Sequence, residues 1–421
     1  MRSTIVISAL VFLAGVAPPA FAAGGDLDAS FGGDGTVSID APRHGVPNAV
    51  AIQTDGKIVV GGGSAYWGKN PRFVLSRFGA DGMLDPTFGR GGTVTTDFGR
   101  NGGEAALGVA VQADGKIVAV GYAGARRYNS LSSGRNPRIA LARYDPDGML
   151  DPSFGGDGRV TTDLFSGPRR HIEAGNGLAI QADGRIIVAG QAGAAGAALV
   201  RYRSDGTLDE AFGTAGSVVV HDRDSRFQSV AIDPAGRIVA AGRRGYESSV
   251  ARYLGSGRID TTFGHDGWAF TRFGLAWAVA NSVAVQADGK IVAGGDGTIG
   301  CWPGGHCDHV AVLARYSAGG SLDTSFGEGG IVTSDFKGWI NAIAVQLDGK
   351  IVGAGSGVGR FALVRYETDG SPDPTFGRDG RLSVFPSLSA ATAVAIQADG
   401  KILAAGFGGG SSLSLARCLP E

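Results

Sequence analysis

The chain has 421 residues, of which 73 are glycine and 16 proline, with a formal net charge of −1 from 38 basic and 39 acidic side chains. Glycine at about 17% signals repeated turns, while glycine and proline together stay below the level of low-complexity disorder. The balanced charge excludes a dominant electrostatic attraction to nucleic acid or to an anionic membrane surface.

The first element is a leader. Arg2, an apolar stretch from Thr4 to Ala17 and the small-x-small triplet Ala20-Phe21-Ala22 predict a secretory signal (residues 1–22) cleaved after Ala22, an uncleaved anchor being the alternative. No cysteine stands at the cleavage point and no later apolar run has spanning length, so residues 23–421 are expected to be soluble, periplasmic or secreted, without membrane insertion.

Three sequence elements then recur in register. Phe-Gly preceded by Asp-x-x occurs at Phe31, Phe88, Phe154, Phe212, Phe263, Phe326 and Phe376. Q-x-D-G-K-I or a variant places glycine at 56, 115, 184, 236, 289, 349 and 400, and L-x-R-Y or a variant places arginine at 77, 143, 201, 252, 315, 365 and 417. Seven copies at a mean of about 57 residues account for the whole mature chain. Within a copy, as in 341–355 (NAIAVQLDGKIVGAG), two apolar runs flank an Asp-Gly pair, the signature of a two-strand turn. The L-x-R-Y run and a short run after Phe-Gly supply two more strands, and no sustained 3.6-residue period appears, so almost no helix is expected. Repeat four, with Asp233-Pro234-Ala235-Gly236 in place of Q-x-D-G, departs furthest.

Seven small sheets in succession predict an all-β, seven-bladed β-propeller with four antiparallel strands per blade. The chain after the leader starts within a Phe-Gly element (27–40) and stops after a third strand (413–418), so the N-terminal strand is expected to close the ring as the outermost strand of the last blade. The seven phenylalanines are expected between blades, and each L-x-R-Y arginine is expected to pair with the aspartate of the next Asp-x-x-Phe-Gly.

These motifs, standing as LDPSFGGDG (150–158), QADGKIV (112–118) and LARYDPDG (141–148), resemble the delta-60 repeat family of bacterial exported propellers, and their order is similar to that of NHL-type repeats. The resemblance covers 27–421 and implies an exported scaffold or binding protein, with no agreed activity and no catalytic residues to carry over.

Candidate functional residues fall on the connections of variable length, all on one face: Tyr66 and Trp67, Arg126 and Arg127, Arg169, Arg170 and His171, Trp302, and on shorter connections Trp277 and Trp339. Aromatics with arginine suit recognition of a protein, peptide or glycan, and the arginine-rich loops suit an acidic one. Cys301 and Cys307 are expected to form a disulfide, with zinc held together with His306 and His309 as the alternative. Cys418 is expected to be buried and unpaired. Asp145-x-Asp147-Gly148 carries calcium-loop letters without the distal glutamate, and Gly295-x-Gly297-x-x-Gly300 leads into no helix, so neither implies a ligand. No catalytic set, resident metal or cofactor is read from the sequence. The expectation is a monomeric, non-enzymatic binding propeller, with a hydrolase or lyase whose site lies at the axial mouth of the variable face as the alternative.

Overall fold

The Q-x-D-G turn requires its aspartate and its glycine. In the first copy Gln53 N–H donates to Lys57 C=O, Gly56 N–H returns to Gln53 C=O, and Asp55 Oδ1 accepts the Lys57 N–H at 3.1 Å. Gly56 lies at φ +82°, a conformation that costs a residue with a Cβ about 1–2 kcal/mol. The divergent fourth copy forms the same turn, with Asp233 Oδ1 accepting the N–H groups of Ala235 and Arg237, both at 2.9 Å.

A computed structural model describes residues 25–40, 45–64, 72–99, 102–125, 137–164, 173–301, 307–385, 389–408 and 412–420. Among these residues the only helical element is a three-residue 3-10 turn, Gly193–Ala195. After β1 (Thr36–Asp40) come four four-stranded antiparallel sheets whose strand order is the chain order. They are β2 (Val46–Ile52), β3 (Ile58–Gly63), β4 (Phe73–Phe78), β5 (Thr93–Thr96); β6 (Gly103–Val111), β7 (Ile117–Ala125), β8 (Arg138–Tyr144), β9 (Arg159–Thr162); β10 (Glu173–Ile180), β11 (Ile186–Ala192), β12 (Ala197–Tyr202), β13 (Ser217–Val219); and β14 (Ser225–Ile232), β15 (Ile238–Arg244), β16 (Glu247–Tyr253), β17 (Trp268–Thr271). A seven-stranded sheet follows: β18 (Trp277–Val285), β19 (Ile291–Cys301), β20 (Cys307–Tyr316), β21 (Ile331–Val345), β22 (Ile351–Gly357), β23 (Arg360–Tyr366) and β24 (Arg381–Ser383). Its central strand is divided between partners, residues up to Lys337 pairing with β20 and those from Gly338 onward with β22. In the last sheet β25 (Ala390–Ile396), β26 (Ile402–Gly408) and β27 (Ser412–Cys418) are completed by β1, registered from Thr36↔Ala416 to Asp40↔Ser412.

The sheets stack face to face, so their middle strands are covered on both sides; every residue of β3, β4 and β7 is buried. Val59, Leu75 and Phe88 pack on Ala119 and Tyr144 of the next sheet, and equivalent clusters join each sheet to its successor. A further cluster joins Phe31, Leu403 and Leu415 to Ile58 and Phe78. Small residues permit the approach: a Cβ on Gly61 would already touch Ala106 and Val109 at 3.4 Å. The fold is that of a β-propeller.

One polar unit recurs once in each of the seven sequence repeats. The arginines 77, 143, 201, 252, 315, 365 and 417 pair through Nε with Asp85, Asp151, Asp209, Asp260, Asp323, Asp373 and Asp28 at 2.6–2.9 Å. Each guanidinium lies over the Phe-Gly phenylalanine of its own repeat, 4.5–4.8 Å from the ring centroid. Each Nη1 donates to a main-chain carbonyl of the next repeat: Pro146, Ser204, Gly255, Ala318, Thr368, Pro420 and Ala80. The phenylalanines, all wholly buried, seat against glycines of the neighbouring turn; a Cβ on Gly148 would stand 2.8 Å from Phe88 and one on Gly206 2.9 Å from Phe154. Burial by itself would raise the pKa of Asp28 and Asp85. For Asp28 it is outweighed by the Ser30 hydroxyl and N–H, Lys401 and Arg417, and for Asp85 by Thr87, Arg77 and Lys57, so both are held down to about 2.

Phe154→Ala removes one such seat and is expected to cost about 3–5 kcal/mol in chemical denaturation; a loss under about 1 kcal/mol would place the ring outside the stability-determining core.

Candidate functional site

The innermost strands carry a β-bulge at one equivalent position, occupied by Asn48, Leu107, Asn176, Gln228, Asn281, Asn341 and Thr392. The bulge turns that side chain along the inner rim. Asn48, Asn176, Asn281 and Asn341 donate through Nδ2 to the carbonyls of Ala106, Phe227, Ile340 and Ala391 on the next inner strand, at 2.7–2.9 Å. Thr392 Oγ1 donates to Pro47 C=O at 3.0 Å, linking β25 to β2. Leu107 interrupts this belt.

Opposite each bulge the second strand needs glycine. A Cβ at Gly62, Gly121, Gly190, Gly242, Gly295, Gly355 or Gly406 would lie 1.8–2.0 Å from a main-chain oxygen of the inner strand. The residue after that glycine sits just above the belt on the variable face, and there the repeats diverge: Gly63, Tyr122, Gln191, Arg243, Asp296, Ser356 and Phe407.

Asp296 is the centre of the polar set. Its Oδ1 accepts from Asn281 Nδ2 at 3.0 Å, and its Oδ2 lies 3.1 Å from His309 Nδ1. The Asp296 side chain is 13% exposed and that of His309 36%, so the dyad opens to solvent through the imidazole. Trp339 meets His309 edge to face, ring centroids 6.1 Å apart. Burial pushes the Asp296 carboxyl above the usual aspartate range, against the opposing Asn281 bond, His309 and Arg226. Arg226 stands directly opposite Arg243 in the β14–β15 register. The Nε atoms of both are buried without a hydrogen-bond partner. Arg243 Nη1 donates to Gly245 C=O at 2.9 Å, and Gly245 forms part of the wall of a cavity of about 450 Å³ lined also by Tyr246, Thr271, Phe273, Leu275 and Ala278.

Of the residues selected from sequence, Trp339 belongs to this set. Trp277, half-buried, begins β18 opposite Thr298, two residues from Val279, the register partner of Asp296. Tyr66, Trp67, Arg126, Arg127, Arg169, Arg170, His171 and Trp302 lie outside the described residues. Cys301 and Cys307 are the terminal register pair of β19 and β20, and Cys418 is a buried free thiol whose pKa burial pushes up to about 12. Among the described residues no group of three His, Cys, Asp or Glu side chains is placed to hold a metal, and no helix is long and apolar enough to cross a membrane. Sequence reasoning missed Asp296, Asn281, Arg226 and Arg243. The available signal was asparagine five residues before glutamine, repeated at Asn48, Asn176, Asn281 and Asn341.

The opposite face is scaffold. Lys57, Lys116, Arg185, Arg237, Lys290, Lys350 and Lys401, which follow the Q-x-D-G turns, reach the seven boundary aspartates at 2.7–3.8 Å. Cavities of about 630 and 760 Å³ between these turns repeat one lining of Gln, Asp and the boundary arginine. In the calcium-like stretch, Asp147 Oδ1 accepts the Met149 N–H at 3.0 Å, Asp145 faces Lys116 at 3.6 Å and Asp151 is taken by Arg143.

A family profile described as "Domain of unknown function (DUF5122) beta-propeller" matches residues 53–88, 112–154, 181–212 and 346–376, each time from a Q-x-D-G turn to about the following Phe-Gly element. The chain is thus a β-propeller repeat protein. No curated protein matches it. Among solved structures it is similar to a polysaccharide lyase (14% identity, 91% of each chain covered, TM-score 0.48). It is also similar to a Thermus thermophilus protein assigned as an oxidoreductase (glucose dehydrogenase), at 16% identity, with 91% of this chain and 100% of that one covered and a TM-score of 0.43. A third similar structure is a gluconolactonase from Xanthomonas campestris (15%, 96% and 99% covered, TM-score 0.37). None of these likenesses bears on what this chain binds or does.

A second buried carboxyl lies on the same face. Glu104, wholly buried, accepts the Phe98 N–H at 3.1 Å and lies 3.9 Å from Arg72. Burial, ahead of every opposing contact, raises its pKa from 4.5 to about 7. The unfolded chain releases this proton near 4.5 while the folded chain holds it to about 7, so the stability it contributes is full below 4.5 and lost as pH rises to 7. Relative to Glu104→Gln, the parent is expected to lose on the order of 2–3 kcal/mol between pH 4.5 and 7.5 in denaturant titrations; parallel stability curves would show that Glu104 titrates normally.

Proposed function

We propose that the chain is an exported, monomeric seven-bladed propeller of the delta-60 kind, released from residues 1–22, that acts as a hydrolase or lyase by acid–base chemistry at the axial mouth of its variable face. Several observations support the ring. Taking β21 as the outer strand of one blade and the inner strand of the next resolves the seven-stranded sheet into two, and the β1–β27 pairing, the Thr392–Pro47 bond and the Arg417–Ala80 bond all join the last repeat to the first. The register pair Cys301↔Cys307 in an oxidising compartment supports a disulfide there.

The Asp296–His309 dyad carries the functional reading. With the carboxylate ionised, His309 Nδ1 carries the proton and donates to it, which fixes the tautomer and leaves the other ring nitrogen free to take a proton from a substrate carbon or an attacking water and return it to the leaving group. Asn281 holds the carboxylate from the inner strand and Trp339 limits the imidazole on its far side. Asp296 and Asn281 are positioning residues; His309 is the catalytic one. A binder resting on the arginine-rich loops would need none of this arrangement beside the axis.

A screen of neutral and acidic oligosaccharides and sugar lactones with the mature chain should yield a substrate. For it, His309→Gln and Asp296→Asn are each expected to lower kcat at least about 100-fold, and the acid limb of the parent's profile should lie above that of an ordinary aspartate. Full turnover by both variants would overturn the acid–base assignment.

A further inference from the structure

Arg226 and Arg243 are an unusual pair to leave together. They face one another as cross-strand neighbours on the inner two strands of the β14–β17 sheet, where like charges directly opposite are destabilising. Neither makes an ion pair among the described residues, and each has a buried Nε–H without an acceptor. Arg138 and Arg201 also have a buried Nε–H outside any hydrogen bond, but each is ion-paired, with Asp163 and Asp209, and Arg244 beside this pair is matched by Asp222 at 2.8 Å; among the described residues Arg226 and Arg243 combine the unbonded Nε with the absence of a carboxylate. Burial and the adjacent Arg243 depress the Arg226 guanidinium below its ordinary value, with Asp296 acting the other way. An acceptor with two oxygens is what this arrangement lacks.

We infer that Arg226 and Arg243 form the carboxylate-binding subsite of the axial site, so that the substrate bears a carboxylate and its reacting part extends toward Asp296 and His309. This rests on the functional reading above and names its substrate class. A carboxylate can accept from two guanidiniums in a fork geometry that a hydroxyl cannot reproduce. An anion there relieves the repulsion between the two arginines, which stand directly opposite one another in the β14–β15 register.

The test is calorimetric titration and thermal shift of the mature chain with D-glucuronate and D-glucose, which differ only in the carboxylate. Glucuronate is expected to bind and raise Tm, glucose to do neither, and Arg226→Gln or Arg243→Gln to weaken glucuronate about tenfold or more. Because each substitution removes a like-charge contact, both variants should melt at or above the parent's temperature without ligand, and the conservative Arg226→Lys should retain part of the binding. Asp296→Asn should bind glucuronate at least as tightly as the parent while lowering turnover as stated above, so the subsite stands or falls separately from catalysis. Equal response to the two sugars, no response to glucuronate at millimolar concentration, or unchanged affinity in both glutamine variants would overturn the subsite.

Discussion

Everything in this molecule hangs on how one guanidinium is satisfied. A boundary arginine spends Nε on an aspartate of its own repeat, its face on that repeat's phenylalanine and Nη1 on a main-chain carbonyl of the next. A buried charge is tolerable only when paired and fully bonded, and here completing the bonds requires the neighbouring sheet. Local satisfaction and long-range assembly become one condition. The acceptor across the boundary is a backbone oxygen, so the neighbour's turn can carry Pro146, Ser204, Ala318 or Thr368 without disturbing the lock.

The belt at the inner rim follows the same logic with a neutral donor. Bulge asparagines reach main-chain carbonyls one repeat away, and the glycine opposite each bulge is demanded by the carbonyl that presses on it. Between these two ties, the residue after the glycine is held in place by structure yet free in identity. That freedom lets one sheet present Arg243 and the next Asp296, and it explains why chemically unlike groups converge beside the axis of a repetitive scaffold. The same side chain then behaves in opposite ways: Asp28 and Asp85, flooded with donors, are held near 2, whereas Asp296, with few donors and deep burial, is pushed up.

The seven-fold recurrence made the strands, the turns, the buried phenylalanines and the arginine–aspartate pairing readable from sequence, because each residue type appears at a fixed offset in every copy. The belt was not readable in the same way. A bulge inserts one residue into a period-two pattern without changing its composition, and the belt position is asparagine in only four copies, with Leu107, Gln228 and Thr392 in the others. Asp296 was hidden in a glycine-rich run resembling turn chemistry, and Arg226 and Arg243 meet only through a register that the bulge between Phe227 and Ser229 sets. The long loops drew attention by length and aromatic content, but of the residues chosen only Trp277 and Trp339 fall within the described chain, and both stand in strands, β18 and β21, rather than on the short connections expected.

Carboxyl-carbon NMR titration of the mature chain tests the division between scaffold and site in one experiment. Asp28, Asp85, Asp151, Asp260, Asp323 and Asp373 are expected to titrate below the ordinary aspartate range and Asp296 above it. An Asp296 resonance that titrates with the boundary aspartates, or boundary aspartates that titrate at the ordinary value, would contradict the separation of structural and chemical carboxylates on which the proposed site depends.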